Sequence, residues 1–184
     1  TIFTSGYDGS HIGRIFKEGG RNWIHKCATI KHAVAMVEKG ADAVVRLGKE
    51  GTGYKHAEQH TTLINITAAR RLLAVPLIAA GGIGDARGFV GALAMGASAV
   101  YLGTAFMATR EYQASEDFKR RIVDQGVTDP ENTRKIYGMK HGLAPSLASG
   151  VIDSVPSVRE FIETMIKGAE EIMAEFKQWG MLDS

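Results

Sequence analysis

The chain has 184 residues, with 22 Lys and Arg against 20 Asp and Glu and a formal net charge of +2. That length holds one domain with a buried core, but falls short of the about 250 residues of a complete (β/α)8 barrel. The balanced charge gives no case for nucleic acid or membrane surfaces, no 18-residue apolar run offers a membrane span, and the single cysteine, Cys27, excludes an internal disulfide and suits a reducing, cytoplasmic setting. The chain opens without Met in an apolar run, which reads as a piece of a longer protein.

Strand-like and helix-like segments alternate along the chain. Residues 2–4 read as a strand and residues 10–18 as a helix closed by Gly19 and Gly20. Residues 23–27 form a second strand, and Thr29 caps a helix with Ile30, Ala33, Val34 and Val37 at helical spacing, ended by Gly40. Residues 43–47 are a third strand, followed by a loop over 48–60 and a helix over 63–73. The apolar run 76–80 reads as a strand buried on both faces. Asp85 caps a helix with an inner face of Ala86, Phe89, Val90, Leu93 and Ala94, and residues 99–102 are the last strand. Ser115 caps a further helix. Residues 124–148 are rich in turn formers and read as a lid or insertion. Ser157 and Glu160 make a capping box for a final helix, with a stripe of Phe161, Ile162, Met165, Ile166, Ala169, Ile172, Met173 and Phe176. The alternation argues a parallel α/β sheet with right-handed crossovers. It leaves open whether that sheet is doubly wound or part of a barrel.

Two glycine clusters carry the chemistry. Gly81, Gly82 and Gly84 lie between a buried strand and a capped helix, where close backbone approach and free N–H groups suit an anion such as phosphate. Gly103 and Thr104 end the next strand, and two adjacent glycine-bearing strand ends match the phosphate site of many barrels. A plain tight turn is the alternative for either cluster alone. Gly88 comes one residue too late for a dinucleotide fingerprint, and Gly48 with Lys49 lacks the pattern of a P-loop. Lys26 in an apolar strand reads as a charge near a barrel mouth, or as a snorkelling edge lysine. The glycines of residues 50–54 let backbone lie against a flat ring, with Tyr54 as a hydrogen-bond donor. His56 and His60 stand four apart but in a polar loop without a third ligand, so no metal is expected.

The ordered motifs Ile24-His25-Lys26-Cys27, Glu50-Gly51-Thr52-Gly53, Ala79-Ala80-Gly81-Gly82-Ile83 and the stretch from Gly103 to Glu111 resemble the nitronate monooxygenase (2-nitropropane dioxygenase-like) family, and the enoyl-ACP reductase II enzymes are similar. The resemblance runs from about Thr4 to Val123 and resumes at Ala148. It implies a (β/α)8 TIM-barrel type of fold holding noncovalent FMN, with this chain supplying about strands 4–8 in residues 1–123, the insertion in 124–148, and a helix packing on the barrel in 149–184. By position it places Lys26 near the flavin and the Thr52 backbone beside its ring. It gives the phosphate to Gly81, Gly82, Gly103 and Thr104, and puts Ser149 where the family often has Gln. Nitronate-active members carry a histidine where Tyr54 stands here, and a phenol with pKa near 10 is a poor base at pH 7. His56 is then the substitute base if its loop bends back.

The expectation is an FMN-dependent oxidoreductase that oxidises a small nitronate with O2. The alternatives are an NAD(P)H-dependent flavin reductase acting on a quinone or enoyl thioester, and a non-catalytic phosphate-binding half-barrel that self-associates. Its partners are a small-molecule substrate and a second copy of itself.

Overall fold

A computed structural model describes residues 1–54, 56, 58, 60–130, 141–142 and 145–181, with backbone alone at 54, 141 and 142. In chain order the elements are β1 (Ile2–Ser5), α1 (Ser10–Glu18), β2 (Trp23–Cys27), α2 (Ile30–Glu38), β3 (Ala43–Leu47), β4 (Gly53–Tyr54), α3 (Thr62–Arg70), β5 (Leu77–Ala80), α4 (Ala86–Ala94), β6 (Ala99–Tyr101), α5 (Thr104–Met107), α6 (Glu116–Val123), β7 (His141–Gly142), a 3-10 turn (Leu147–Val151) and α7 (Val158–Gln178).

Five strands form one parallel sheet in the order β1-β2-β3-β5-β6. The order never reverses, so the switch point of a doubly wound sheet is absent from it. Alternate residues sort the two faces. Trp23, Cys27, Val44, Leu77 and Ala79 join Ala33, Met36, Ile66 and Ala69 of the helices in the main core. Ile24, Val45, Leu47, Ile78 and Ala80 pack together on the opposite face. That second face is concave. Phe3 of β1 and Tyr101 of β6 sit on the outermost strands, four strand spacings apart, or about 19 Å if the sheet were flat. Their rings instead stack at 5.3 Å with planes 7° apart. The sheet is therefore bent into an arc of a barrel.

Local signals explain the element ends. The hydroxyls of Thr29 and Ser115 and the carboxylate of Asp85 accept N–H bonds from His32, Phe118 and Gly88, and Ser157 with Glu160 completes both halves of its capping box. Gly40 and Gly96 end α2 and α4 with φ of +101° and +99°. Gly13 lets α1 lie directly on the buried Trp23 ring, where any Cβ would collide.

Two helix faces differ from the sequence reading. In α4, Leu93 is exposed and Ala92 is buried against the sheet core, while Ala86, Phe89 and Val90 meet Ala169, Ile172 and Phe176 of α7. The helix is sandwiched between sheet and α7, so no single stripe describes it. In α7 only Met165, Ala169 and Ile172 are buried, and Ile162, Ile166 and Met173 are exposed, because α4 covers a narrower strip than the apolar stripe. Most of the expected lid at 124–148 lies outside the described residues. What is described there includes an antiparallel pairing of β7 with β4, Gly53 opposite Gly142 and Tyr54 opposite His141. No described helix is long and apolar enough to cross a membrane.

Candidate functional site

The C-terminal ends of β3, β5 and β6 converge. Gly51 and Thr52 after β3, Gly81 and Gly82 after β5, and Gly103 and Thr104 after β6 border one cavity of about 70 Å³, with Lys26 and Ser146 completing its wall. The glycines are needed there. Gly81 has φ +103°, and a Cβ on it would stand 3.0 Å from Gly48 N and 3.1 Å from Gly51 N. Gly82 has φ +75° and its Cβ would stand 2.9 Å from Glu50 Cβ. These left-handed values strain any side-chain-bearing residue. A Cβ on Gly103 would meet nothing within 4 Å, so its backbone faces open space.

Thr104 and Ser146 supply hydroxyls. Thr104 Oγ1 accepts the Ser146 N–H at 3.0 Å and lies 2.8 Å from Ser146 Oγ, which accepts the Ala148 N–H at 3.2 Å. One hydroxyl proton is used between the two residues and the other is left for a ligand. Lys26 is half-buried, with its ammonium 5.5 Å from the Tyr101 ring centroid, and burial lowers its pKa. A second cavity of about 280 Å³ shares Lys26 and Leu47 with the first and runs to Ser5, Gly6 and Tyr7. The small cavity suits a phosphate and the larger one, at the mouth of the arc, suits a flat ring. The residues present thus fit a flavin mononucleotide, with open backbone, a spare hydroxyl proton and an ammonium between the two spaces. A larger cavity of about 380 Å³ lies between α4, α7 and residues 151–156. Of the strand-end glycines only Gly84 borders it, and Lys26 does not, so convergence of chemistry rather than size marks the smaller cavity as the site.

The expected residues divide. Lys26, Thr52, Gly81, Gly82, Gly103 and Thr104 come together on the one cavity. Ser149 does not line it. Its hydroxyl is buried 2.9 Å from the Ser146 carbonyl and 3.1 Å from Gln125 Oε1, so it supports Ser146 from behind. His56 accepts the Glu58 N–H on Nδ1 at 3.1 Å and borders neither cavity of the site. The role expected for the Tyr54 phenol falls on a side chain outside the described residues. The first turn of α4 also departs from expectation. Asp85 occupies the Gly88 N–H at 2.7 Å, and Gly84 through Arg87 border the outer cavity, so the glycine turn itself forms the cup. Ser146 was legible only as a turn former, since nothing local announces that it crosses to Thr104.

His25, Cys27 and His32 bring ligand-type atoms within 4.8 Å of one another on the helix side of the sheet. Ala28 N–H donates to His32 Nδ1 at 3.3 Å, and His25 Nδ1 lies 2.6 Å from the Thr4 hydroxyl. The buried Arg46 guanidinium adds positive charge beside them, donating to Cys27 O at 2.6 Å and Asn65 Oδ1 at 2.7 Å. Burial pushes the Cys27 thiol up to about 12. The Nε2 atoms of His25 and His32 are buried without a hydrogen-bond partner among the described residues, and the adjacent guanidinium works against a cation beside them.

The nitronate monooxygenase family model matches residues 2–153. The chain belongs to the nitronate monooxygenase family. It is 35% identical over 125 residues to (3aS,4S,5R,7aS)-5-hydroxy-7a-methyl-1-oxo-octahydro-1H-indene-4-carboxyl-CoA dehydrogenase of Rhodococcus jostii, covering 68% of this chain and 35% of that protein. It is 31% identical over 155 residues to a probable nitronate monooxygenase of Bacillus subtilis, covering 80% of this chain and 43% of that protein. The chain thus spans well under half the length of these relatives. FabK from Thermotoga maritima superimposes with a TM-score of 0.84 at 25% identity, over 97% of this chain and 70% of that one. Nitroalkane oxidase from Streptomyces ansochromogenes, at 21% identity and TM-score 0.76, shares the fold. The family is one of oxidoreductases, flavin-dependent in general, and its structural neighbours are TIM barrels.

Proposed function

We propose that this chain is the phosphate-gripping part of an FMN-dependent oxidoreductase acting on a small molecule. The observation that carries the reading is the convergence of three strand-end loops and Ser146 on one phosphate-sized cavity beside Lys26. Gly81, Gly82, Gly103, Thr104 and Ser146 hold the phosphate, the Thr52 backbone lies along the ring, and the Lys26 ammonium sits between phosphate and ring. The flavin, when bound, supplies the redox chemistry, and the protein supplies orientation and polarity.

Nitronate oxidation by O2 is the reaction suggested by the family. A second reading, hydride transfer from NAD(P)H to a quinone or an enoyl thioester, is favoured by two observations. Tyr54 stands where nitronate-active members carry the basic histidine, and His56 points into its own turn. The carboxyl-CoA dehydrogenase name of the Rhodococcus relative also supports a thioester substrate.

The test is direct. Purified protein should be yellow, or become so with added FMN, and should release FMN on denaturation. A colourless protein that takes up no FMN overturns the proposal. Anaerobic mixing then separates the chemistries, because bleaching by NADH but not by a nitronate selects the second reading.

A further inference from the structure

Glu50 borders neither cavity of the site, yet it is tied to the start of α3, to the Ser146 segment and to the Gly82 turn. Its carboxylate accepts the Thr62 N–H at 3.0 and 2.9 Å, which ties it to the start of α3. Its backbone carbonyl accepts the Leu147 N–H at 3.1 Å, one residue past Ser146. Its Cβ is the atom that a side chain on Gly82 would strike. Thr62 extends the reach. Its buried hydroxyl stands 2.9 Å from Glu50 Oε2, 2.8 Å from the Gly81 carbonyl and 3.4 Å from the Ala80 carbonyl, so its one proton has three acceptors within reach. Gly48 closes the group, for any Cβ there would collide with the Thr62 hydroxyl, and its N–H extends the ladder to the Ala80 carbonyl at 2.8 Å.

We infer that Glu50 and Thr62 are positioning residues that hold the Gly81 turn and the Ser146 segment at the separation a phosphate monoester needs. This rests on the reading of the cavity as an FMN phosphate site. Neither side chain reaches the ligand. The carboxylate on the α3 N-terminus is favoured by the helix dipole, and its hydrogen bonds are charge-assisted. A cup built from glycines has no side-chain packing of its own to fix its shape, so its width is set by what the turn is tied to. Removing the tie should loosen the phosphate end and leave the ring end alone.

The test compares FMN with riboflavin, which lacks only the phosphate, by flavin fluorescence titration of the whole chain. Glu50→Ala and Thr62→Val should each weaken FMN about tenfold, the scale of one charge-assisted hydrogen bond. Riboflavin affinity should change by less than about twofold, within the spread expected of an uncoupled site. Thr62→Ser, which keeps the hydroxyl, should retain the preference for FMN. Glu50→Gln, which keeps an acceptor for the Thr62 N–H but loses the charge, should fall between. Equal losses for FMN and riboflavin, or an unchanged FMN preference in folded Glu50→Ala and Thr62→Val, would overturn the inference. If the unaltered chain binds neither flavin, the FMN reading itself fails. The positioning role is then read from amide hydrogen exchange over residues 79–85 and 145–149. Faster exchange there in Thr62→Val than in Thr62→Ser supports it, and equal exchange refutes it.

Discussion

Gly82 combines φ +75° with Glu50 Cβ 2.9 Å from where its own Cβ would be. Gly82→Ala therefore meets both backbone strain and a clash. It should cost about 1–3 kcal/mol of stability and reduce FMN affinity, measured by urea denaturation and flavin titration. Gly103 lacks both features, so Gly103→Ala should leave stability nearly unchanged and still weaken FMN by filling the cup. Equal stability losses in the two variants would contradict this division. His25 and His32 lead to a prediction about pH. Burial lowers both pKa values from the ordinary 6.5, the Gly6 and Tyr7 backbones pull the other way, and Arg46 lowers His32 further. The unfolded chain thus takes up protons first. The contribution of the neutral pair is fully present above about pH 6.5 and declines as pH falls below it. The thermal midpoint should drop between pH 7.5 and 5.5, and His25→Gln with His32→Gln should flatten that slope. A midpoint that does not move over this window would refute the buried-neutral assignment. These residue-level effects were only partly legible in the sequence. Gly82 was singled out as a glycine between strand and helix, but the atom it must avoid comes from a loop after a different strand. His32 stood in no motif, and His25 counted only as part of the strand motif Ile24-His25-Lys26-Cys27, because their pairing depends on a strand and the next helix folding against each other.

Helix α7 meets the body of the molecule through a narrow strip. Gly168 faces α4, where an added Cβ would lie 2.7 Å from Ala86 Cβ. Gly168→Leu should push α7 off α4, uncover Met165, Ala169 and Ile172, and destabilise by about 1–3 kcal/mol, the usual cost of overpacking. Ser157→Ala should remove one half of the capping box and cost about 1 kcal/mol. Both are checked by denaturant midpoints, and a Gly168→Leu variant as stable as the parent would sink the packing argument. The capping box was readable because a cap is local, fixed by four consecutive residues. The buried strip was not, since an apolar stripe records what a helix could bury and the width of its neighbour sets what it does bury.

The sheet is an arc with its two edge strands, β1 and β6, paired on one side only among the described strands. Phe3 and Tyr101 at those edges are 40% and 41% exposed, and Ile12 and Ile15 of α1 are also exposed. Open edges and apolar surface favour association. The 184-residue chain on its own should therefore sediment as a dimer or larger, and Tyr101→Lys should shift it toward monomer. A clean monomer at high concentration would refute this.

The sequence by itself determined the alternation of strands and helices, the caps at Thr29, Asp85, Ser115 and Ser157, the glycine strand ends, and through the order of its motifs the family. These are local properties, carried by spacing and by residues that set their own backbone angles. The spacing of its strands left the curvature open and the family resemblance implied a barrel; the tertiary structure shows the arc, in Phe3 meeting Tyr101 from opposite edges. It also brought Ser146 into the cup, turned Ser149 behind it, kept His56 away, and set Glu50 and Thr62 at the junction of three loops. Periodicity tells which face a segment buries. Which distant surface it meets is settled by the folding of the whole chain.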